Sequence, residues 1–255
     1  MSGEFSGKVA LVTGGASGIG AETVRQFYKE GASVLIADLN DTDGQALADS
    51  FQDPARVQFC KLDVASEESW EQAIEFNRQV FGKLDILVNS AGTAVSTPLE
   101  KMSLKEWQFQ QSVNLDGTFL GVKNAILEMK EKGGAIVNIA SIAADVGIFA
   151  APAYCASKAG VKNFTKAAAL YCAQYNYNIR INAIMPGYIE TPMVEGVLKQ
   201  QGQPGSFGEK LRELHPIGHF GQPEDIAAGI LFAASEKAKF MTGSSIPIDG
   251  GYLAQ

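Results

Sequence analysis

Tyr154 and Lys158 stand four residues apart in a segment whose pattern predicts a helix. That spacing places both side chains on one helical face. A free phenol has a pKa of about 10, and a neighbouring ammonium favours the phenolate, so we expect a lowered pKa for Tyr154 and general acid–base chemistry. Such a pair is commonly a surface feature, but Ser141 ends a predicted strand thirteen residues earlier, where its hydroxyl can bond a substrate oxygen. Asn114, inside another predicted helix, is a core amide that needs partners.

A glycine-rich segment, Thr13–Gly20, follows the first predicted strand and opens the first predicted helix. Gly14, Gly18 and Gly20 allow a tight turn, a close approach to a pyrophosphate, and packing of the helix against the strand. The start of the helix presents free amides and a positive dipole end to phosphates. A glycine cluster alone is weak evidence, but the strand before it and the helix after it predict a dinucleotide site.

Asp38 ends the second predicted strand, 18 residues after Gly20. A carboxylate at this position accepts hydrogen bonds from an adenosine ribose and repels a 2′-phosphate. The neighbours Ala16, Ser17 and Leu39 carry no positive charge. The sequence therefore favours NAD over NADP.

The chain of 255 residues is acidic, with 28 acidic and 21 basic residues and a net charge of −7. This balance argues against nucleic acid and anionic membranes as partners. Three widely spaced cysteines fit neither a disulfide framework nor a zinc site. With no signal-peptide pattern in the first seven residues, we expect a reduced, cytoplasmic protein with no membrane association.

Short apolar runs alternate with longer helical patterns along the chain. The strand candidates are 8–13, 33–38, 57–62, 85–88, 135–139, 179–184 and 245–248, and the helix candidates are 19–30, 42–51, 67–81, 104–131, 152–175 and 223–235. This alternation predicts an α/β fold, a single-domain doubly wound (Rossmann-like) parallel sheet of about seven strands with helices on both faces. One domain would span residues 1–255, with an irregular segment at about 188–221 as a lid over the substrate.

These residues together resemble the motif set of the short-chain dehydrogenase/reductase family. The matching motifs run in the family's order over essentially the whole chain: Thr13-Gly14-x-x-x-Gly18-Ile19-Gly20, Asn89-Ser-Ala-Gly92, Asn114, Ser141, Tyr154-x-x-x-Lys158 and Pro186-Gly187. One departure is Ser90, where the family usually has a second Asn.

The resemblance implies a role for each matching residue. Tyr154 would move the proton at the alcohol or carbonyl oxygen, Lys158 would lower the pKa of Tyr154 and bind the nicotinamide ribose, and Ser141 would orient the substrate oxygen. A bend at Asn114 would hold a water that links Lys158 to solvent. The implied cofactor contacts are Gly14, Ser17, Gly18, Ile19, Gly20, Asp38, Asp63, Val64, Asn89, Ala91, Gly92, Tyr154, Lys158, Pro186, Gly187, Ile189 and Thr191.

Within the family, the chain is similar to the R-specific secondary-alcohol dehydrogenases, for example in Pro186-Gly-Tyr-Ile-x-Thr-Pro192 and Gly251-Tyr-x-Ala-Gln255. That resemblance implies a homotetramer, a ketone or secondary alcohol as substrate, and a structural Mg²⁺ at the carboxylate of Gln255. Members of this group often prefer NADP, so Asp38 marks a difference. The candidates for an apolar substrate wall are Phe149, Tyr188, Met193, Val194, Val197 and Leu198.

Three other functions stay open at this point. A 3-oxoacyl-thioester reductase would want NADPH and a basic surface, and a hydroxysteroid dehydrogenase would share the same motifs. A binding module that senses NAD without catalysis would be expected to lack Tyr154, Lys158 or Ser141, and all three are present. His215 and His219 lack the further ligands of a metal site, so we expect them at the surface.

Overall fold

The computed structural model describes residues 3–200 and 204–255, and in this part of the chain seven strands form one parallel sheet. The strands are β1 (Val9–Thr13), β2 (Ser33–Asp38), β3 (Val57–Lys61), β4 (Ile86–Asn89), β5 (Gly134–Ile139), β6 (Ile179–Pro186) and β7 (Ser245–Ile248). Their order in the sheet is β3-β2-β1-β4-β5-β6-β7. This order confirms the predicted doubly wound parallel sheet.

The chain reverses its direction of winding between β1 and β4, which are neighbours with Thr13 opposite Asn89. In sheets of this kind, ligands bind outside the carboxyl ends of the strands at such a switch point. β1 and β4 are buried along their whole length, because helices cover both faces of the sheet. The fold therefore brings the carboxyl ends of the central strands together at one edge.

The helices connect the strands and pack on the two faces of the sheet. They are α1 (Gly18–Lys29), α2 (Asp41–Ser50), α3 (Glu67–Phe81), α4 (Leu104–Gln111), α5 (Gly117–Met129), α6 (Pro152–Gln174), α7 (Pro192–Gln200), α8 (Pro204–Glu213) and α9 (Pro223–Ala234). One apolar cluster packs β1, β2 and β4 against α1 and α9, and a second packs the same sheet against α3, α5 and α6. None of the helices in the described ranges is both long and apolar enough to cross a membrane.

Two segments differ from the sequence-based expectation. The helix predicted over 104–131 is α4 and α5 joined by one π-helical turn, Ser112–Asp116, at which the extra residue displaces the backbone around Asn114. The segment expected to be irregular contains α7 and α8. These two short amphipathic helices were not predicted, because the Gly- and Pro-rich composition of the segment is typical of loops. Residues 201–203 of the predicted lid lie outside the described residues.

Candidate active site

A cavity of about 620 Å³ opens at the carboxyl edge of the sheet. The turn before α1, the ends of β2 and β4, the start of α6 and the segment after β6 all contribute to it. The residues predicted from the sequence that line it are Gly14, Ser17, Gly18, Ile19, Gly20, Asp38, Asp63, Val64, Ala91, Gly92, Ser141, Tyr154, Lys158, Pro186, Gly187, Ile189 and Thr191. The structure thus brings residues from seven separate segments to one space.

The turn between β1 and α1 is closely packed and has no room for side chains at two of its glycines. A Cβ at Gly14, which has a φ of +62°, would lie 2.8 Å from the backbone of Ala91. A Cβ at Gly20 would lie 2.1 Å from the carbonyl oxygen of Gly14. Ser17 precedes α1 without capping it by its side chain, and the first amides of a helix have no partner within the helix. This turn fits a pyrophosphate held by backbone amides.

Asp38 ends β2, which β1 and β4 separate from β5, the strand that precedes Ser141. Its carboxylate accepts hydrogen bonds from the backbone amides of Ala16, at 3.0 Å, and Asn40, at 2.9 Å. These bonds fix the carboxylate between β2 and the turn before α1. Leu39 beside it lines the cavity and is 61% exposed. Among the described residues that line this cavity, Lys158 is the only cation.

Ser141 and Tyr154 come from different elements and line the same two cavities, where the Ser141 hydroxyl can hydrogen-bond the Tyr154 oxygen and so favour the phenolate. Ser141 follows β5 and also accepts a bond from the amide of Ala143, at 3.1 Å. Burial raises the pKa of Tyr154 above its usual 10, and the bond from Ser141 opposes this effect. The lowered pKa expected from the sequence is therefore absent here, because desolvation of the phenolate outweighs its stabilisation.

Lys158 is 4% exposed, one helical turn after Tyr154 on α6. Its Nζ donates a hydrogen bond of 2.8 Å to the carbonyl of Ile139 and lies 5.7 Å from the centre of the Tyr154 ring. Burial lowers the pKa of Lys158 to about 8, because the charged ammonium is the form that desolvation penalises. The side chain also lines the cavity, so its remaining N–H groups are available to a ligand there.

Asn114 lies at the π-helical turn and is fully buried. Its side-chain amide donates to the carbonyl of Thr93 at 2.9 Å and to the hydroxyl of Ser157 at 3.0 Å, and its Oδ1 accepts from the amide of Thr93 at 2.8 Å. These bonds tie the turn to the segment after β4 and to α6. A Cβ at Gly92 would lie 3.3 Å from Oδ1 of Asn114 and 3.5 Å from Nζ of Lys158, so the two groups flank the same point.

Asn89 is the one predicted cofactor contact that does not line the cavity. Its side chain is buried between β4 and α5. There Nδ2 donates to Oδ1 of Asn138 at 2.8 Å, and Oδ1 has no hydrogen-bond partner among the described residues. Asn138 in turn donates to the hydroxyl of Thr165. Asn89 therefore links β4, β5 and α6 beneath the cavity.

Several residues that line the cavity were not predicted as site residues from the sequence: Leu39, Leu62, Ala65, Ser90, Thr93, Phe109, Ser112, Val113, Ile139, Ala140 and Pro192. Most are neighbours in sequence of predicted residues, so adjacency could have found them. Phe109, Ser112 and Val113 come from α4 and the π-helical turn, and only the fold brings them to this space.

A second cavity, of about 110 Å³, adjoins the first. The two share Ser141, Tyr154, Gly187, Met193 and Val194, and the rest of the second wall is Ala94, Val95, Ser96, Ile142, Ile148, Ala150, Ala151, Tyr188 and Leu211. No charged side chain in the described part of the chain lines it. The Ser141–Tyr154 pair therefore stands where a large cavity meets a small apolar one.

Of the predicted apolar wall, Tyr188, Met193 and Val194 line the second cavity, and burial raises the pKa of Tyr188 to about 12. Phe149 is 93% exposed and Leu198 lies outside the lining, while the side chain of Val197 is outside the described residues. The prediction that His215 lies at the surface is wrong, because this side chain is only 2% exposed and packs behind Tyr188. The same prediction for His219 is confirmed, since that residue is exposed.

Gln255 lies close to α8, and its side-chain amide donates to the carbonyl of Leu214 at 2.9 Å. Mg²⁺ takes about six oxygen ligands, often including a carboxylate side chain. Within residues 3–200 and 204–255, no group of three or more His, Cys, Asp or Glu side chains could hold a metal. The side chains of the described residues therefore offer no Mg²⁺ site of their own, the terminal carboxylate of Gln255 as a ligand stays a prediction, and nothing below depends on it.

Comparison with known proteins supports the resemblance seen in the motifs. Residues 14–253 match a family model described as enoyl-(acyl carrier protein) reductase. The chain is 38% identical over 257 residues to the NADP-dependent (R)-specific alcohol dehydrogenase of Lentilactobacillus kefiri, with 100% of both chains covered. It is also 38% identical over 253 residues to the 3-beta-hydroxysteroid dehydrogenase of Comamonas testosteroni, covering 99% of this chain and 98% of that one.

A solved structure, that of a short-chain type dehydrogenase/reductase from Mycobacterium marinum, superposes with a TM-score of 0.92 at 31% identity. The superposition covers 99% of this chain and 98% of the other. The similarity in sequence and the similarity in fold both extend over essentially the whole chain. The chain belongs to the short-chain dehydrogenase/reductase family.

Proposed function

We propose that the protein is an NAD(H)-dependent oxidoreductase that interconverts a secondary alcohol and its ketone, with Tyr154 as the general acid–base. The observation that carries this proposal is the position of Ser141 and Tyr154 together at the junction of the two cavities, with Lys158 one helical turn away. The large cavity has the shape and the glycine turn for a dinucleotide, and the small one has the apolar lining for the substrate's body.

The residues around the large cavity suit a nicotinamide dinucleotide. The amides at the start of α1 would hold the pyrophosphate, Asp38 the adenosine ribose, and Lys158 the nicotinamide ribose. Asp63 and Val64 would contact the adenine, and Ile189 and Thr191 the carboxamide. The nicotinamide supplies or accepts the hydride at its C4.

The chain's own contribution to the reaction is the handling of one proton. During ketone reduction Tyr154 donates its phenolic proton to the carbonyl oxygen, which also accepts a hydrogen bond from Ser141. The charged Lys158 stabilises the phenolate that this transfer leaves behind. Asn114 keeps the π-helical turn open beside Lys158, where the turn provides a route for the returning proton. In alcohol oxidation the same groups act in reverse.

The small cavity favours a compact apolar substrate. A volume of about 110 Å³ lies well below the roughly 300–1,000 Å³ of sites for drug-sized ligands. A short-chain or cyclic ketone fits this space better than a steroid. A hydroxysteroid dehydrogenase is the second candidate because several relatives carry that name. A panel of aliphatic, cyclic and steroid ketones separates the two, and turnover confined to steroids would contradict the first.

Asp38 is the reason for proposing NAD, even though the relative from Lentilactobacillus kefiri is NADP-dependent. A 2′-phosphate near the fixed carboxylate would meet like charge, a repulsion of order 3 kcal/mol at 5 Å and an effective dielectric constant of 20. We therefore expect kcat/KM with NADH to exceed that with NADPH by about 100-fold. The variant Asp38→Ser should narrow this ratio at least tenfold, and equal use of both cofactors by the unaltered protein would refute the assignment.

The acid–base role of Tyr154 is tested by Tyr154→Phe, which keeps the ring and removes the proton. Turnover should fall by at least about 1,000-fold, followed as NADH absorbance, while NADH binding measured by fluorescence titration changes little. Tyr171→Phe, which removes the hydroxyl of an exposed phenol on the same helix, is the matched control and should retain turnover. If Tyr154→Phe keeps its activity, the mechanism fails; if no ketone reacts but NAD raises the melting temperature, a sensing module is favoured.

Three further parts of the proposal concern the whole protein. The segment at about 188–221, with α7 and α8, would act as a lid over the substrate within a single domain. Exposed apolar side chains on α5 and α6, among them Phe119 and Leu170, support assembly of four identical chains. The free thiols of Cys60, Cys155 and Cys172 fit a reducing, cytoplasmic compartment.

A further inference from the structure

His215 lies two residues after α8, and both of its ring nitrogens are hydrogen-bonded. Nδ1 is 2.9 Å from the carbonyl oxygen of Leu211, and Nε2 is 3.1 Å from the backbone amide nitrogen of Tyr188. A carbonyl only accepts, so the ring proton is on Nδ1, and Nε2 accepts from the Tyr188 amide. The ring is therefore neutral, with one donor and one acceptor, both used.

These two bonds join elements that are far apart in sequence. Leu211 belongs to α8, and Tyr188 follows β6 by two residues. Both residues line the small apolar cavity, which is the proposed site of the substrate. Gly187 lines both cavities, and a Cβ placed there would lie 2.8 Å from Nε2 of His215. His215 itself lines neither cavity, so any effect on the substrate must pass through these residues.

The orientation of the imidazole is fixed by three aromatic rings. Tyr188, Phe220 and Tyr252 lie with their centres 5.7, 6.0 and 5.4 Å from that of His215, at steep angles of 78°, 81° and 66°. Edge-to-face packing of this kind holds a ring in place. Because His215 is only 2% exposed, water has little access to the ring and cannot readily replace either hydrogen bond. A side chain without an acceptor here would leave the Tyr188 amide unpaired in a buried place.

We propose that His215 is a positioning residue, which sets the shape of the substrate cavity by holding the Gly187–Tyr188 backbone against α8. The inference rests on the proposed function, because it assigns the small cavity to the substrate. His215 makes no contact with the reacting atoms. Its loss should therefore weaken substrate binding and leave the proton transfer by Tyr154 largely intact.

Two amide variants separate the two hydrogen bonds of the ring. His215→Gln places an acceptor near the position of Nε2 and can keep the bond from Tyr188. His215→Asn has a shorter side chain that reaches Leu211 and cannot reach Tyr188. We expect the substrate KM to rise about tenfold in His215→Asn and less than threefold in His215→Gln, with kcat within about twofold in both. His219→Gln, at the exposed neighbouring histidine, should change neither constant.

Backbone hydrogen exchange gives a readout that needs no substrate. The amide of Tyr188 should exchange at least tenfold faster in His215→Asn than in the unaltered protein, and at nearly the original rate in His215→Gln. Similar kinetic losses in both variants, or a fall in kcat with an unchanged KM, would overturn the proposal. If the unaltered protein turns over no ketone, the proposed function fails, and the exchange rates still decide whether His215 holds Tyr188. Unchanged exchange in His215→Asn would refute that role.

Discussion

At the scale of single residues, burial has opposite consequences for the two titratable groups of the site. It raises the pKa of Tyr154, whose charged form is the phenolate, and lowers that of Lys158 to about 8, because its charged form is the ammonium. Near pH 7 both groups hold their protons. In the proposed mechanism these are the protonation states from which Tyr154 would donate its proton during ketone reduction.

The pKa of Lys158 predicts how reduction depends on pH. As pH rises through about 8, Lys158 loses its charge and no longer favours the phenolate that forms when Tyr154 donates its proton. We expect kcat/KM for ketone reduction, measured from initial rates, to be level near pH 6.5–7 and to fall above about pH 8. A profile that stays level to pH 10 would show that the charge on Lys158 is not needed in the free enzyme.

Replacement of Lys158 by Met should stabilise the protein while it removes activity. The lowered pKa means that the buried charge opposes folding below about pH 8, and the lost bond to Ile139 offsets part of the gain. We expect a net gain of about 2 kcal/mol in the free energy of unfolding at pH 7. Between pH 8 and 10.5 the unfolded chain binds more protons, so the unaltered protein gains stability and the difference shrinks. Urea unfolding measures this, with the exposed Lys166→Met as control.

At the scale of elements, two local departures from regular structure shape the site. The turn between β1 and α1 brings the backbone of Gly14 against Ala91, at the carboxyl ends of two neighbouring strands. The π-helical turn between α4 and α5 directs Asn114 toward Thr93 and Ser157. Both departures hold backbone close to the cavity, where a regular helix or a larger residue would alter its shape.

The turn before α1 can be tested with two glycines of similar backbone conformation. Gly14 and Gly82 have φ values of +62° and +74°, but only Gly14 has backbone atoms within 4 Å of a Cβ. Gly82→Ala should lose about 1 kcal/mol of stability from its positive φ alone, and Gly14→Ala should lose more, because its Cβ would also meet the backbone of Ala91. Only Gly14→Ala should also weaken NADH binding, by tenfold or more in a fluorescence titration. Equal NADH affinities in the two variants would contradict the role of this turn.

At the scale of the whole molecule, α5 and α6 expose several large apolar side chains after the chain has folded. Phe119 is 45% exposed and packs on Phe164 with ring centres 6.1 Å apart, while Leu127 and Leu170 are 55% and 71% exposed. Several large exposed apolar side chains on neighbouring helices are typical of sites of association. It gives the proposed assembly of four chains a defined place on the molecule.

Phe119→Asp would place a charge on this face without entering the cavity. Light scattering of the unaltered protein should give a mass of about four chains of 27.1 kDa, and the variant should shift to smaller species at the same concentration. Circular dichroism should show the fold retained. An unaltered protein that is monomeric at tens of micromolar would refute the assembly, and a variant of unchanged mass would place the contact elsewhere.

The amino-acid sequence was sufficient to predict the sheet, the glycine-rich turn before α1, and the group of Ser141, Tyr154 and Lys158 that lines one cavity, because each leaves a local signal. Apolar runs mark buried strands, glycines mark the turn, and a spacing of four marks a shared helical face. The sequence did not predict α7 and α8, because the Gly and Pro residues in and beside them are typical of loops. The π-helical turn at Asn114 leaves no break in the helical pattern of the sequence, and only the family resemblance implied a bend there.

Tertiary structure alone decided what depends on contacts between distant segments. The position of Asn89 behind β4, the burial of His215, and the raised pKa of Tyr154 all follow from packing by elements remote in sequence. Desolvation and hydrogen bonding act over a few ångströms in space, whatever the separation along the chain. The sequence by itself therefore determined which groups could do chemistry, and the fold decided which of them meet and in what protonation state.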